Sequence, residues 1–337
     1  MPVENYPYKV SVLILTYNQA EYIKKAVEGA IKQQVDFPYE IIIGDDCSTD
    51  GTREILLDYK QRYPDLIRLN LHDEHDQAGI AGRKNNIKNI ESARGKYIAF
   101  CDGDDYWLSR DKLQKQANFM DAHPEFTMCC TDALIVHVES NRQYIKSEQA
   151  LSMQKSCAFT YRDVIKEEFT VISSSTFYRR EYIMPLPPRF NDVYLADLFL
   201  QLRALQQGPG KYFKSLKVGK VWSKKSICNH YLSGRMRVQV RKNDHAIIAE
   251  EFASQPAKPY SYKALFFMAS ALRYKREREY LKMIVSTYKV YAHDPTLVVH
   301  WLKLATDQNN SSLKKSGLKF ISQFIKLTIC STSREQI

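Results

Sequence analysis

Three carboxylates fall within four residues at Asp102-Gly103-Asp104-Asp105, directly after the apolar run Tyr97-Ile98-Ala99-Phe100-Cys101. Acids this close repel one another. A hard divalent cation such as Mg2+ or Mn2+ removes the repulsion, since these ions take oxygen ligands and share them with the phosphates of a substrate. The plainer reading is a solvated turn in which Asp105 or Asp111 caps a helix that starts near Lys112. The apolar run reads as one buried strand, so the acids stand where a sheet stops being core and starts being a site.

Two more apolar runs end in polar clusters. Val10-Ser11-Val12-Leu13-Ile14-Leu15 leads into Thr16-Tyr17-Asn18-Gln19, and Tyr39-Glu40-Ile41-Ile42-Ile43-Gly44 leads into Asp45-Asp46. Between them, Ile23, Ala26, Val27, Ala30 and Ile31 share one face of a helix. Asp50 or Thr52 caps the next helix, and Leu66 to Leu71 is a third, shorter strand candidate. This alternation predicts an α/β fold with a parallel sheet covered on both faces, in which ligands bind beyond the carboxyl ends of the strands. No glycine-rich phosphate loop is present, so a nucleotide has to be held by acids on its base and ribose and by a metal on its diphosphate. Arg83 and Lys84, in the basic and amide-rich stretch Gly79 to Asn86, either face phosphate or base or begin a solvated helix.

Composition sets the outer bounds. The 337 residues suffice for one large domain or two, and 44% hydrophobic with 26% charged residues is ordinary for a soluble globular protein. The formal charge of +11 favours anionic partners or serves plain solubility. Seven cysteines, with no Cys-x-x-Cys pair, suggest neither a zinc site nor a disulfide framework, and point to a reducing cytoplasm. Met1 to Tyr8 lacks signal-peptide character, and no apolar run approaches the roughly 20 residues that span a bilayer. Twenty-two tyrosines accompany polar ligands often enough to be noted, but decide nothing.

The segments Ser11 to Asn18, Glu40 to Thr52, Gly95 to Trp107 and Asp111 to Gln116, in this order and at this spacing, resemble the inverting glycosyltransferases of glycosyltransferase family 2. The likeness covers about the first 135 residues well and extends more loosely to about 235. It implies a GT-A fold, a Rossmann-like, mostly parallel sheet with flanking helices. It also implies a nucleoside diphosphate sugar, UDP-linked in the commonest case, as donor. Thr16 and Asp46 are then expected at the base and ribose, with Tyr17 and Asn18 shaping that pocket. Asp102-Gly103-Asp104 matches the family's DxD element, with Asp104 the direct ligand of Mn2+ or Mg2+ and Asp102 nearer the ribose; Asp105 orients its neighbours or reaches the sugar.

Transfer with inversion needs a base for the acceptor hydroxyl and charge stabilisation for the departing diphosphate. Asp197 stands where the family's acidic pair opens a helix beside the acceptor, although Ala196 replaces the preceding acid; Asp192 is the competing base. Capping its own helix is the structural alternative for Asp197. After Trp222 the chain departs from the family, and Lys225, His230, Arg235 and Arg237 are the candidates for neutralising phosphate. The glutamine-x-x-arginine-tryptophan signature of processive synthases is absent, which favours transfer of a single sugar.

In the second half, Thr131 to Val138 and Val171 to Arg180 read as strands, Asn141 to Ser156 as an exposed loop, and Leu198 to Leu205 as a helix ending at Gly208-Pro209-Gly210. The expected organisation is a catalytic domain over 1–235, with a nucleotide-sugar half to about 135 and an acceptor half beyond, and a mostly helical C-terminal region over 236–337. The last helix expected there, Ser312 to Ile329, is basic and amphipathic, suited to docking on its own domain or to peripheral contact with an anionic membrane. The implied acceptor is a surface glycan or a lipid-linked glycan, with no nucleic acid among the partners. A sugar-nucleotide nucleotidyltransferase and a catalytically silent glycan-binding protein of the same fold are the competing readings.

Overall fold

The computed structural model describes residues 6–75, 82–148, 156–165 and 169–223, together with the isolated positions 247 and 251. The helices expected over 236–337, and the basic candidates Lys225, His230, Arg235 and Arg237, lie outside the described residues. All elements below belong to one compact unit, Met1–Asp244.

The first half is built from β1 (Tyr8–Thr16), α1 (Ile23–Ile31), β2 (Tyr39–Asp45), α2 (Thr52–Arg62), β3 (Ile67–Leu71), α3 (Arg83–Ser92) and β4 (Gly95–Asp102). A short β5 (Tyr106–Trp107) and α4 (Lys112–Ala122) follow. Then come β6 (Met128–His137), β7 (Arg142–Ile145), β8 (Ala158–Phe159), α5 (Tyr161–Ile165), β9 (Phe177–Arg179), α6 (Arg180–Ile183), α7 (Ala196–Leu205) and β10 (Gly210–Trp222). The strands form one mixed sheet in the order β3-β2-β1-β4-β9-β6-β10-β5, with β7 added beside β6 and β8 beside β10. β9 runs antiparallel to both β4 and β6, while β10 is parallel to β6. The carboxyl ends of β1, β2, β4, β6 and β10 therefore share one edge of the sheet.

β1 is central because it is apolar on both faces. Val10, Val12 and Ile14 join Ile23, Ala26, Val27 and Ala30 of α1 in one buried cluster, while Leu13 and Ile42, which alternate to the other face, are equally buried. The asparagines of α3 bind strand-end backbone: Asn85 donates to the Gly44 carbonyl (2.8 Å) and Asn89 to the Ile14 carbonyl (3.0 Å). At the opposite edge the buried Glu40 accepts from Ser11 (2.8 Å), Arg94 (2.8 Å) and Arg68 (3.0 Å), so its charge closes the base of the sheet.

The second half differs from its sequence reading in three places. Within Asn141 to Ser156, residues 142–145 are β7, with a 3-10 turn at Lys146–Glu148 whose Ser147 is buried and donates to Asp132 (2.7 Å). Of Val171 to Arg180 only Phe177–Arg179 pairs as a strand, and Ser173–Ser175 forms a 3-10 turn. The thirteen-residue β10, not anticipated, starts at Gly210. Its amphipathic pattern is blurred by four lysines, a composition that hides a strand paired on both sides.

Lys112 is fully buried, its ammonium 4.2 Å from the Trp107 ring centroid and 2.8 Å from Gln116 Oε1. Burial pulls it down to about 8. The unfolded chain then holds the extra proton between about pH 8 and the ordinary lysine value, so Lys112 makes stability rise with pH across that window. Lys112→Met should be more stable than wild type at pH 7, by about 1–3 kcal/mol. Urea denaturation at pH 7, 9 and 10 should show that gap closing as pH rises.

Candidate active site

The β1–α1 and β2–α2 loops are stitched together backbone to side chain. Asn18 N–H donates to Ser48 Oγ (2.9 Å), Gln19 N–H to Thr52 Oγ1 (2.8 Å), Ala20 N–H to Asp50 Oδ2 (3.0 Å) and Thr49 N–H to Asn18 Oδ1 (2.8 Å). Asn18 and Cys47 hold positive φ at 49° and 62° to make these turns. The adjacent acids divide their work. Asp45 pairs with Arg53 (2.7 Å), a bond that anchors α2. Asp46, equally buried, faces His75 Nδ1 at 2.8 Å, and the His75 ring stacks on Tyr17 with centroids 4.0 Å apart and planes 8° from parallel.

The acidic turn docks on the end of β1. Gly103 N–H donates to the Leu15 carbonyl (2.8 Å), and a Cβ at this glycine would stand 2.3 Å from Gln19 Oε1 and 2.8 Å from Thr16 Cβ. Glycine is required by that approach, which places Thr16 beside Asp102. Thr16 Oγ1 itself donates to Gln19 Oε1 (2.9 Å).

Asp102, Asp104 and Asp105 each offer an oxygen within 4.8 Å of the others, the one such group among the described residues. Their environments differ sharply. Asp105 is wholly buried and accepts from the Ser174 hydroxyl, from Val221 N–H (2.9 Å) and from Lys220 Nζ (2.9 Å). Asp102 donates its backbone N–H to Ser174 Oγ (3.0 Å), and its carboxylate accepts from Lys220 Nζ (3.3 Å). Asp104 has no such side-chain partner among the described residues, and burial, opposed by Lys220 and reinforced by Asp102, raises its carboxyl. Burial likewise pushes Asp105 up against the pull of Lys220. The ammonium is held charged by the three acids, which outweigh its own burial. Asp105 is thus tied into the fold from three sides. An all-oxygen set of this spacing fits Mg2+ or Mn2+, with Asp104 and Asp102 the residues that would hold it.

Asp197 lies in the first turn of α7 with an exposed side chain and accepts from Leu198 N–H (2.8 Å). The cap position of the helix is Leu195, which offers no side-chain bond, so Asp197 is not its capping residue. The surrounding protein raises its carboxyl; Asp102 adds to the rise and Lys220 opposes it, which sets Asp197 in the field of the acidic turn. Asp192 is exposed in a 3-10 turn, Pro188–Asp192. Arg83 is buried, not solvated. It donates to the Val193 and Tyr194 carbonyls and stacks 4.6 Å from the Phe190 ring centroid, tying α3 to the approach of α7. Lys220 and His75 carried no signal in the sequence, while Gln19 stood only as the last member of a strand-end polar cluster and Ser174 only within a small-residue run.

The glycosyl transferase family 2 model matches residues 11–185. The chain belongs to glycosyltransferase family 2. A putative teichuronic acid biosynthesis glycosyltransferase, TuaG of Bacillus subtilis, is 40% identical over 116 residues, covering 34% of this chain and 43% of that protein. The segments shared with curated relatives span about half of their length or less, 49% in an uncharacterised Mycobacterium tuberculosis relative. Among solved structures, Staphylococcus aureus TarS 1–349 in complex with UDP superposes with a TM-score of 0.59 at 19% identity, covering 94% of this chain and 89% of that one. The mannosyltransferase PcManGT of Pyrobaculum calidifontis, in complex with GDP-Man and Mn2+, gives 0.57 at 17% identity, with 96% and 87% covered. These likenesses bear out the GT-A architecture. No helix among the described residues is long and apolar enough to cross a membrane.

The division of labour among the acids has a measurable consequence. Asp105→Ala strips the bonds of Ser174, Val221 and Lys220 and should destabilise the fold by about 3 kcal/mol. Asp104→Ala should leave the thermal midpoint of the metal-free protein unchanged or higher. Differential scanning calorimetry in EDTA checks both.

Proposed function

We propose that this chain is a metal-dependent inverting glycosyltransferase that moves one sugar from a nucleoside diphosphate sugar, UDP-linked by preference, to a hydroxyl of a surface or lipid-linked glycan. The observation that carries the reading is the docking of the acidic turn against Thr16 by way of Gly103, next to the pocket of Tyr17 and Asp46. One continuous edge then offers a stacking ring and a carboxylate for a base, and acids for a metal-bound diphosphate. Mg2+ or Mn2+ would neutralise the departing diphosphate.

The residues divide as follows. Tyr17 supplies a face for the base, Asp46 accepts from a ring N–H, and Asn18 and Thr16 shape the ribose side. Asp102 and Asp104 fix the diphosphate through the metal, and Asp105 holds Asp102 and Lys220 in place. Asp197, opposite the turn, takes the proton of the acceptor hydroxyl as that oxygen attacks the anomeric carbon. Arg83 sets the distance between the donor half and α7. The likeness to TuaG, a putative teichuronic acid biosynthesis glycosyltransferase, and the chain's positive charge support an acidic envelope glycan as acceptor. The transferred unit is of the hexosyl or N-acetylhexosaminyl type.

Isothermal titration of UDP with and without Mn2+ tests the donor reading. Binding is expected to depend on Mn2+ and to be lost in Asp104→Ala; absence of UDP binding in both conditions contradicts it. Slow donor hydrolysis, screened over a panel of nucleotide sugars, identifies the sugar without knowledge of the acceptor. Asp197→Asn should bind UDP normally yet lose transfer at least about 100-fold. Because Asp197 must be deprotonated and its carboxyl is raised, kcat/KM should fall with acid at a pH above the ordinary carboxylate range. A profile flat through pH 5 would place the base elsewhere.

A further inference from the structure

Lys220 comes from the far side of the sheet, 115 residues after Asp105 in sequence, and delivers a single ammonium into the acidic turn. Its Nζ stands 2.9 Å from Asp105 Oδ2 and 3.3 Å from Asp102 Oδ2. The next residue is tied down as well, because Val221 N–H donates to Asp105 Oδ1 at 2.9 Å. β10 is therefore pinned to the turn by side chain and backbone together, and the ammonium cannot drift away without breaking both carboxylate contacts. Asp102, one of the two acids that would hold a metal, is already engaged by a fixed cation.

We propose that Lys220 is a built-in counter-cation that makes the acidic turn a poor site for a divalent ion until a nucleoside diphosphate is bound. This rests on the donor reading above. A dication entering the empty turn meets an ammonium at contact range from two of its three acids, so part of the carboxylate charge is spent before the ion arrives. A diphosphate changes the balance. It adds anionic oxygens next to the turn, gives Lys220 a second anion to face, and supplies the ion with ligands of its own. Metal and nucleotide then bind with strong mutual coupling, and the free enzyme does not accumulate an unproductive metal complex. Lys220 is a positioning residue on this account, acting through the acids and the diphosphate.

The test is Mn2+ titration of the full chain, with free Mn2+ read by electron paramagnetic resonance, in the absence and presence of saturating UDP. It compares wild type with Lys220→Met, Lys220→Gln and Lys220→Arg, each checked by thermal melt so that at least one uncharged variant is folded. Wild type should bind Mn2+ at least about tenfold more tightly with UDP than without. The uncharged variants should bind Mn2+ alone about fivefold or more tighter than wild type, with the gain from UDP reduced to about twofold or less. Lys220→Arg should retain the wild-type pattern. Uncharged variants that bind Mn2+ alone no tighter than wild type, with the UDP effect preserved, overturn the role of Lys220 and leave the donor reading standing. If wild type with UDP retains no Mn2+, the donor reading and this inference fall together.

Discussion

The structure is governed by the mutual repulsion of three carboxylates held within four residues at the end of β4. A short turn cannot spread them apart, because Gly103 is clamped against Leu15, Thr16 and Gln19. The charge must be met where it stands. Part of it is met from the second half of the chain: Ser174 and Val221 donate to Asp105, and Lys220 reaches both Asp105 and Asp102. The rest remains on Asp104 and the open side of Asp102. The three acids therefore differ, with Asp105 spent on holding the fold and Asp104 without such a side-chain partner among the described residues.

That compensation explains why two halves of unlike sheet geometry form one unit. The first half is a parallel α/β layer whose strand ends converge by topology alone. β9 then reverses direction between β4 and β6, returning β6 and β10 parallel to β4, so that their carboxyl ends arrive at the same edge. Arg83 adds a second tie, from α3 to the segment before α7, which brings Asp197 into the field of Asp102 and Lys220. The two halves are thereby joined through buried polar contacts.

The first half was legible in the sequence because its signals are local. Apolar runs of strand length end in polar residues, and both the doubly buried β1 and the DxD spacing are visible within short windows. The second half was legible only in outline. Ser173–Ser175 looks like part of a small-residue strand, but Ser174 also serves the backbone of Asp102, the Trp107 indole through its carbonyl and Asp105, which winds the segment into a turn. β10 was hidden by its lysines, of which Lys220 alone points into the acids. Within Asn141 to Ser156, polar residues concealed β7, which forms by pairing with β6. Partners more than a hundred residues apart leave no pattern in a single chain. Nor does the stacking of His75 on Tyr17, 58 residues earlier, show in any short window of the sequence.

The central claim is that the acidic turn holds a metal on the diphosphate of a nucleotide whose base lies at Tyr17 and Asp46. The most direct measurement is paramagnetic relaxation of the 31P signals of UDP by Mn2+ bound to the protein. The account predicts enhancement at both phosphates, beyond that of free Mn2+ with UDP, and its loss in Asp104→Ala. Enhancement that persists unchanged in Asp104→Ala, or no protein-dependent enhancement in wild type, would contradict it.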